Sequence, residues 1–378
     1  MLSAAAAASP RTVPQITYGV ADDVSKYADD GGASFYANLP GAGLTQNRWT
    51  LAWNPARPTV IEELPFLERA APLAQRAGVQ MTLALYSKIA SRHEPESFCS
   101  WAGKIARTVE DWGIENFIVG NEPNTRLFWL PQKDAAGRDV AAPAFTTLLA
   151  QCYDAIKAAN PAATVIGMGL SPRASTSQSN EPLVFLRDVG AAYRASGRKR
   201  PLMDQLAIHP YPNPSSPTDA PYVGYPSPAR FGISNLARVK QAVWDAFHGT
   251  AQPTTLEGLT FRIDEIGWQV DTTGLPGYVN RENVATIDEA TQAAYMAQMV
   301  ETYFACDPAV TDVLLFLLVD EPWRNGRDAT GKVLGGGWQS GLVTFGGQRR
   351  PAYKTMGELA ARGRGACAGR SVTWTPRR

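Results

Sequence analysis

The sequence predicts an α/β fold, a (β/α)8 TIM barrel in a single domain, and three observations carry that expectation. Eight short apolar runs that read as strands alternate with segments of helical periodicity, the pattern that builds a parallel sheet with helices outside it. The strand runs are apolar almost throughout, as strands covered on both faces must be. Polar and charged residues gather where the runs end, and a barrel collects its functional groups at the carboxyl ends of its strands. An open doubly wound sheet is the competing architecture. No strand runs into a good Gly-x-Gly-x-x-Gly turn, because Gly167-Met168-Gly169-Leu170 continues into Ser-Pro-Arg.

The first strand is expected over Gln15 to Val20 and is followed by Asp22 and Asp23, to which the sequence gives no role. A Gly/Pro-rich connection with only an obscure helix leads to a second strand, Thr45 to Trp53, ended by Asn54-Pro55. Leu64, Leu67, Ala71 and Leu73 make Ile61 to Arg76 amphipathic, and Gly78 stops it. The unit then repeats. Strands at Val79–Tyr86, Asn116–Val119, Thr164–Leu170, Gln205–His209, Leu259–Glu265 and Val313–Val319 alternate with helices. Those helices lie near Pro95–Trp112, Pro143–Ala159, Pro182–Ala195, Ile233–Phe247, Asp288–Cys306 and Ala352–Ala361. No linker or repeat divides the chain. Residues 1–14 read as a disordered tail or the remnant of a signal peptide, and 15–378 as the barrel.

Composition narrows the function. A net charge of +1 gives no electrostatic case for nucleic acid or an anionic membrane, and no apolar run approaches the ~20 residues of a membrane span. His93, His209 and His248 are far apart and form no Cys/His cluster, so a catalytic metal is not expected. Neighbouring helices would bring Cys99 to Cys152 and Cys306 to Cys367. Disulfides there imply export, and four buried thiols are the alternative. Gly326 to Val333 nearly matches a phosphate-binding loop, but Val333 stands where Ser or Thr is required.

Chemistry concentrates at two strand ends. Asn121-Glu122-Pro123 closes the fourth strand, and Asp264-Glu265-Ile266-Gly267-Trp268 closes the seventh. In a barrel these ends face each other across one mouth, so Glu122 and Glu265 form a carboxylate pair. Two carboxylates ~5–5.5 Å apart are the equipment of retaining glycoside hydrolysis. Alternation along the seventh strand puts Glu265 in phase with Phe261 and Ile263; if these line the interior, so does Glu265, and Asp264 points toward the helices. Arg48 on the second strand supplies a positive charge near the nucleophile. Tyr211 donates a hydrogen bond to Glu265, and His209 does likewise or holds a sugar hydroxyl. Asn121 bonds the sugar 2-hydroxyl, Trp323 offers a floor for a pyranose ring, and Trp268, Trp129 and Trp338 build further subsites. Asp320 and Glu321 brace the loop after the eighth strand.

These motifs, Gly120-Asn121-Glu122-Pro123 after strand four, His209-Pro-Tyr211 after strand six and Asp264 to Trp268 after strand seven, resemble the clan A glycoside hydrolases. Asn-Glu-Pro is similar to the endoglucanases of family 5 and the β-xylosidases of family 39, and Glu-Ile-Gly-Trp to the β-1,3-glucanases of family 17. The resemblance runs from about Gln15 to Ala361 and implies Glu122 as acid/base and Glu265 as nucleophile. No single family's full pattern is present, so the resemblance carries no substrate. The expected protein is an exported, monomeric hydrolase of a β-linked oligosaccharide, polysaccharide or glycoconjugate, working with no cofactor. A transglycosylase on the same scaffold and a carbohydrate-binding barrel without turnover are the alternatives.

Overall fold

Eight parallel strands close into a barrel in chain order. They are β1 Thr17–Ala21, β2 Gln46–Trp53, β3 Gln80–Ser87, β4 Asn116–Val119, β5 Thr164–Leu170, β6 Gln205–Ile208, β7 Thr260–Ile266 and β8 Val310–Leu315, with β8 pairing back onto β1. The structure, a computed structural model, describes residues 13–213, 216–278, 284–321, 337–369, 372 and 374–377. All but the last two residues of the expected tail lie outside the described residues, as do Trp323 and the phosphate-loop-like Gly326 to Val333.

Helices Leu64–Arg76, Pro95–Thr108, Ala141–Ala159, Pro182–Ser196, Leu236–Phe247, Glu289–Met299 and Pro351–Arg362 cover the strands. Proline stands at the first or second position of four of them, where its missing N–H breaks no helical bond. Between β1 and β2 the helix breaks into Val24–Tyr27 and Ala33–Asn38, separated by Gly31 and Gly32 at positive φ. Strand eight ends earlier than its apolar run suggests. Asp22, just past β1, accepts the Leu318 and Val319 N–H groups at 3.0 and 3.2 Å and draws that stretch out of the ladder. The disulfides are Cys99–Cys152 and Cys306–Cys367, as expected.

The barrel interior is layered. At the bottom, Arg262 reaches Gln46, Thr82 and Gln205 at 2.8, 3.2 and 3.1 Å and pairs with Asp312 at 3.3 Å. Asp312 also accepts from Gln46 and Gln205, each at 2.7 Å. Four apolar residues, Ala84, Ile118, Ile166 and Ala207, form the next layer. Above them, two residues further along β2, β6 and β7, lie Arg48, His209 and Asp264. The period of two is that of a strand.

Phe261 and Ile263 therefore face outward, in the large core between sheet and helices, with Trp49, Leu83, Phe117 and Leu206. That corrects the expected phase of β7: Arg262 and Asp264 point inward. The physical reason is polarity. The mantle under the helices has no partners for charged groups, while inside the barrel Arg262 and Asp264 meet polar side chains from the facing strands.

Removing Asp312 would strand a buried guanidinium. Asp312→Ala is expected to cost about 3–5 kcal/mol, read as a lower denaturant midpoint at unchanged slope. A loss under ~1 kcal/mol would show that the bottom network does not hold the barrel.

Candidate active site

Each proposed catalytic carboxylate stands on backbone that leaves regular geometry. After β4, Gly120 has φ 90°, and a Cβ there would sit 2.8 Å from Phe145. Glu122 itself has φ 44°, in the left-handed region that a non-glycine residue rarely enters. Its N–H donates to the Gly169 carbonyl at 2.8 Å, and its own carbonyl accepts from Thr125 at 2.8 Å, so the strained turn is tied at both ends. On β7 the pairing with β8 is irregular between Ile263 and Ile266, the stretch that carries Asp264 and Glu265.

Six of the residues singled out in the sequence meet here: Arg48, Asn121, Glu122, His209, Tyr211 and Glu265. Glu265 accepts from Arg48 Nη1 at 2.8 Å and from the Tyr211 hydroxyl at 3.1 Å. Arg48 Nη2 donates to Asn121 Oδ1 at 2.8 Å. His209 Nδ1 lies 3.1 Å from Glu122 Oε1 and 3.7 Å from Glu265 Oε2. Those two oxygens are thus no farther apart than the two distances added, about 6.8 Å. That bound admits a retaining pair at ~5–5.5 Å and most of the inverting range of ~6.5–9.5 Å lies beyond it.

Asp264 is the residue sequence reasoning misdirected. It is fully buried, 3.3 Å from both Arg48 Nε and His209 Nε2. Burial alone would raise its carboxyl, but Arg48 and then His209 hold it below the usual carboxylate range. Burial would likewise neutralise His209. The charge of Glu265, together with the hydrogen bonds that His209 itself makes to Asp264 and Glu122, instead pushes its pKa up to about 10. His209 is therefore an imidazolium whose Nδ1–H donates to Glu122 and Nε2–H to Asp264. Burial lowers Arg48 and its acidic neighbours more than reverse this, so it too stays charged. Burial and then Glu265 raise the Tyr211 phenol well above its usual value, so it keeps its proton and donates. His209, Asp264 and Glu265 are close enough together to suggest a cation site. A protonated imidazole has no lone pair to offer, and Arg48 already bridges the two carboxylates, so the donor set does not fit a metal.

A cavity of about 310 Å³ opens over the pair, its walls including Tyr211, Trp268, Phe316 and Trp338. Trp338 is 40% exposed, tilted 29° from the Tyr211 ring and edge-on to Phe316 at 5.6 Å. Trp268 is buried, donates to the Asp219 carbonyl at 3.1 Å, and serves as wall rather than platform. Trp129 is corrected: it stacks on His93 and packs edge-on against Phe145, in the core. Phe316 was hidden in the apolar run assigned to strand eight; it lies just past β8, before a cis peptide to Leu317. Asp320 braces its loop as expected, held by both Arg350 Nη atoms at 2.8 and 2.6 Å and by the Tyr278 hydroxyl at 2.6 Å.

No protein-family model matches the sequence, and a search of curated proteins finds no match. Solved structures do match, and these neighbours are glycoside hydrolases. A family 39 glycoside hydrolase from Bacteroides cellulosilyticus is 17% identical over 92% of this chain, TM-score 0.60. The chain covers 64% of that enzyme's length, just under two thirds. A GH5_18 protein from Streptomyces cattleya, solved with GlcNAc, is 14% identical over 97% of this chain and 83% of its own, TM-score 0.61. A fungal β-1,4-galactanase is 12% identical over 91% of this chain and 99% of its own, TM-score 0.57. At these identities the likeness shows the fold.

The charged state of His209 has a measurable consequence for stability. Its folded pKa lies above the unfolded value near 6.5, so the folded protein binds the extra proton more tightly. That support is complete below about pH 6.5 and is lost as pH rises through about 10. Thermal melts of the wild type and His209→Gln should therefore show a gap that is widest at pH 6 and narrows toward about pH 10. A gap of constant size across that range would mean that His209 is neutral in the fold.

Proposed function

We propose that the chain is a retaining β-glycoside hydrolase in which Glu265 is the nucleophile and Glu122 the acid/base. The observation that carries this is the shared His209: one imidazolium nitrogen lies within 3.7 Å of both carboxylates, at the floor of an open cavity. The two environments also differ in the sense that the chemistry requires. Glu265 receives Arg48 and Tyr211 as donors, the surroundings a nucleophilic carboxylate needs, while Glu122 has His209 as its side-chain partner among the described residues.

In the first step Glu265 attacks the anomeric carbon while Glu122 gives its proton to the departing glycosidic oxygen, leaving a glycosyl ester on Glu265. In the second, Glu122 takes a proton from water, the water oxygen attacks the same carbon, and Glu265 leaves as carboxylate. Two inversions give net retention. The buried charges stay balanced throughout. Before attack, Asp264 and Glu265 offset Arg48 and His209, with Glu122 protonated. In the ester, Glu265 has lost its charge and Glu122 has gained one. The same two cations that hold the nucleophile ionised thus favour an ionised base one step later.

The Asn121 amide is placed to donate to the sugar hydroxyl next to the anomeric carbon, and Phe316 and Trp338 supply an apolar surface for a ring. The likeness to family 39, family 5 and galactanase structures supports a carbohydrate substrate, an oligosaccharide or glycoconjugate. The two disulfides support a place outside the reducing cytoplasm.

Glu265→Ala is expected to lower kcat on an aryl β-glycoside by about 10⁴-fold or more. Azide should restore turnover with an α-glycosyl azide as product, whereas Glu122→Ala with azide should yield the β-azide. The panel to run first pairs 4-nitrophenyl β-xyloside, β-glucoside, β-galactoside and β-mannoside. Substantial hydrolysis by Glu265→Ala without azide would remove the assignment.

A further inference from the structure

The loop after β5 carries an arginine that the proposed chemistry does not use. Arg173 lines the cavity, half-buried, together with Glu122, Ser171 and Ser175. Among the described residues its side chain makes a long hydrogen bond, 3.4 Å from Nη1 to the carbonyl of Ala174 next to it in the chain, and also donates toward the Tyr225 hydroxyl. The acid of the same loop, Glu181, is committed elsewhere: Arg230 holds it through Nε and Nη2 at 2.5–3.0 Å. No other carboxylate among the described residues forms an ion pair with Arg173. The guanidinium is thus a cation in a cavity wall without an acidic partner, in a molecule whose deeper arginines, Arg48, Arg262 and Arg350, each have one.

Its position tells which part of a ligand it meets. The root of its loop lies beside the acid: the Glu122 N–H donates to the Gly169 carbonyl at 2.8 Å and the Ser171 N–H to Asn124 Oδ1 at 3.1 Å, so Arg173 rises from the β5 end on the side of Glu122. An acid must stand beside the oxygen it protonates, and that oxygen belongs to the leaving group. We propose that Arg173 forms a leaving-group subsite that selects a substrate bearing a carboxylate or sulfate on the departing sugar or aglycone. The planar fork of a guanidinium matches two oxygens of such a group, and a half-buried pairing loses less to solvent screening than a surface one. Ser171 and Ser175 line the same wall and offer hydroxyls to the remaining oxygen atoms. The inference rests on the assignment of Glu122 as the acid, which defines the leaving-group side.

The test compares leaving groups at constant sugar. The 4-nitrophenyl glycoside selected by the panel is run beside analogues with a carboxylate or a sulfate on the phenyl ring, with wild type and Arg173→Gln. The ratio of kcat/KM for charged over plain substrate should fall about tenfold in Arg173→Gln, mainly through KM, and in the wild type it should fall with added salt. Whichever of the two charged analogues shows the larger fall identifies the anion. An unchanged ratio overturns the subsite, and so does an equal fall in kcat on charged and plain substrates, which would mean that Arg173 acts through Glu122. If no glycoside is cleaved, the enzyme assignment fails separately. Calorimetric titration of both proteins with glucuronate-bearing and neutral xylo-oligosaccharides then reads Arg173 directly, and binding that ignores the uronate or the substitution overturns the proposal.

Discussion

The constraint on which the rest of the structure depends is the charge balance at the top of the barrel. Arg48 and His209 are buried, and each would be expensive to keep ionised alone. They stay charged because Asp264 and Glu265 lie beside them. Asp264 is equally dependent, fully buried and held ionised by those same cations. Nothing in this cluster is stable in its charged form without the others. The consequence is rigidity: β2, β4, β6 and β7 are joined through side chains at the level where two carboxylates must keep a fixed separation. Such a cluster adds little net stability compared with apolar packing, so its value lies in fixing geometry and protonation state.

The barrel beneath explains how that cluster is held. A thin apolar layer, Ala84, Ile118, Ile166 and Ala207, separates it from the Arg262–Asp312 network below. Two charged layers are kept apart by side chains that carry no polar group. At the seam between β1 and β8, Asp22 accepts three backbone N–H groups, from Val24, Leu318 and Val319, and burial still pushes its carboxyl up to about 7. This clamp directs the chain beyond Leu315 over the mouth, which is why Phe316 borders the cavity. The left-handed turn at Glu122 belongs to the same economy of position. A regular extension of β4 would carry that carboxylate along the strand direction, and the φ of 44° turns it over the opening.

Much of this was legible in the sequence, because the signals were local. Strands β4 and β5 fall where apolar runs end in polar residues or glycine, and the disulfides follow from alternating elements that make neighbours of successive helices. Glu122, Glu265, Arg48, His209 and Tyr211 could be assembled because a barrel sends every strand end to one place. What failed was the sidedness of β7. The rule that apolar residues face the interior assumes one interior, and a barrel has two buried regions. Phe261 and Ile263 are buried under helices, Arg262 and Asp264 inside the sheet, and both sets are hidden from water. Hydropathy cannot distinguish the two; only the partners across the barrel do. The same ambiguity hid Phe316 within an apolar run and made Trp129 look like a cleft residue, although its ring is clasped between His93 and Phe145.

The division between scaffold and loops also explains why the fold is recognisable where the sequence is not. A barrel tolerates nearly any set of apolar residues in its mantle, provided that volume and pattern are kept, so identities of 12–17% are compatible with TM-scores near 0.6. The residues that read a substrate are not under that constraint. Arg173 and Ser175 sit in the loop after β5, Tyr225 in the loop after β6, and Phe316 and Trp338 beyond β8. All but Phe316, whose N–H still donates to Ile266 of β7 at 2.9 Å, occupy connections outside the strand ladder. On the proposed reading, the chemistry sits on the strand ends of the scaffold, whereas the choice of glycoside belongs to this chain's own loops and must be read from their charges and ring faces.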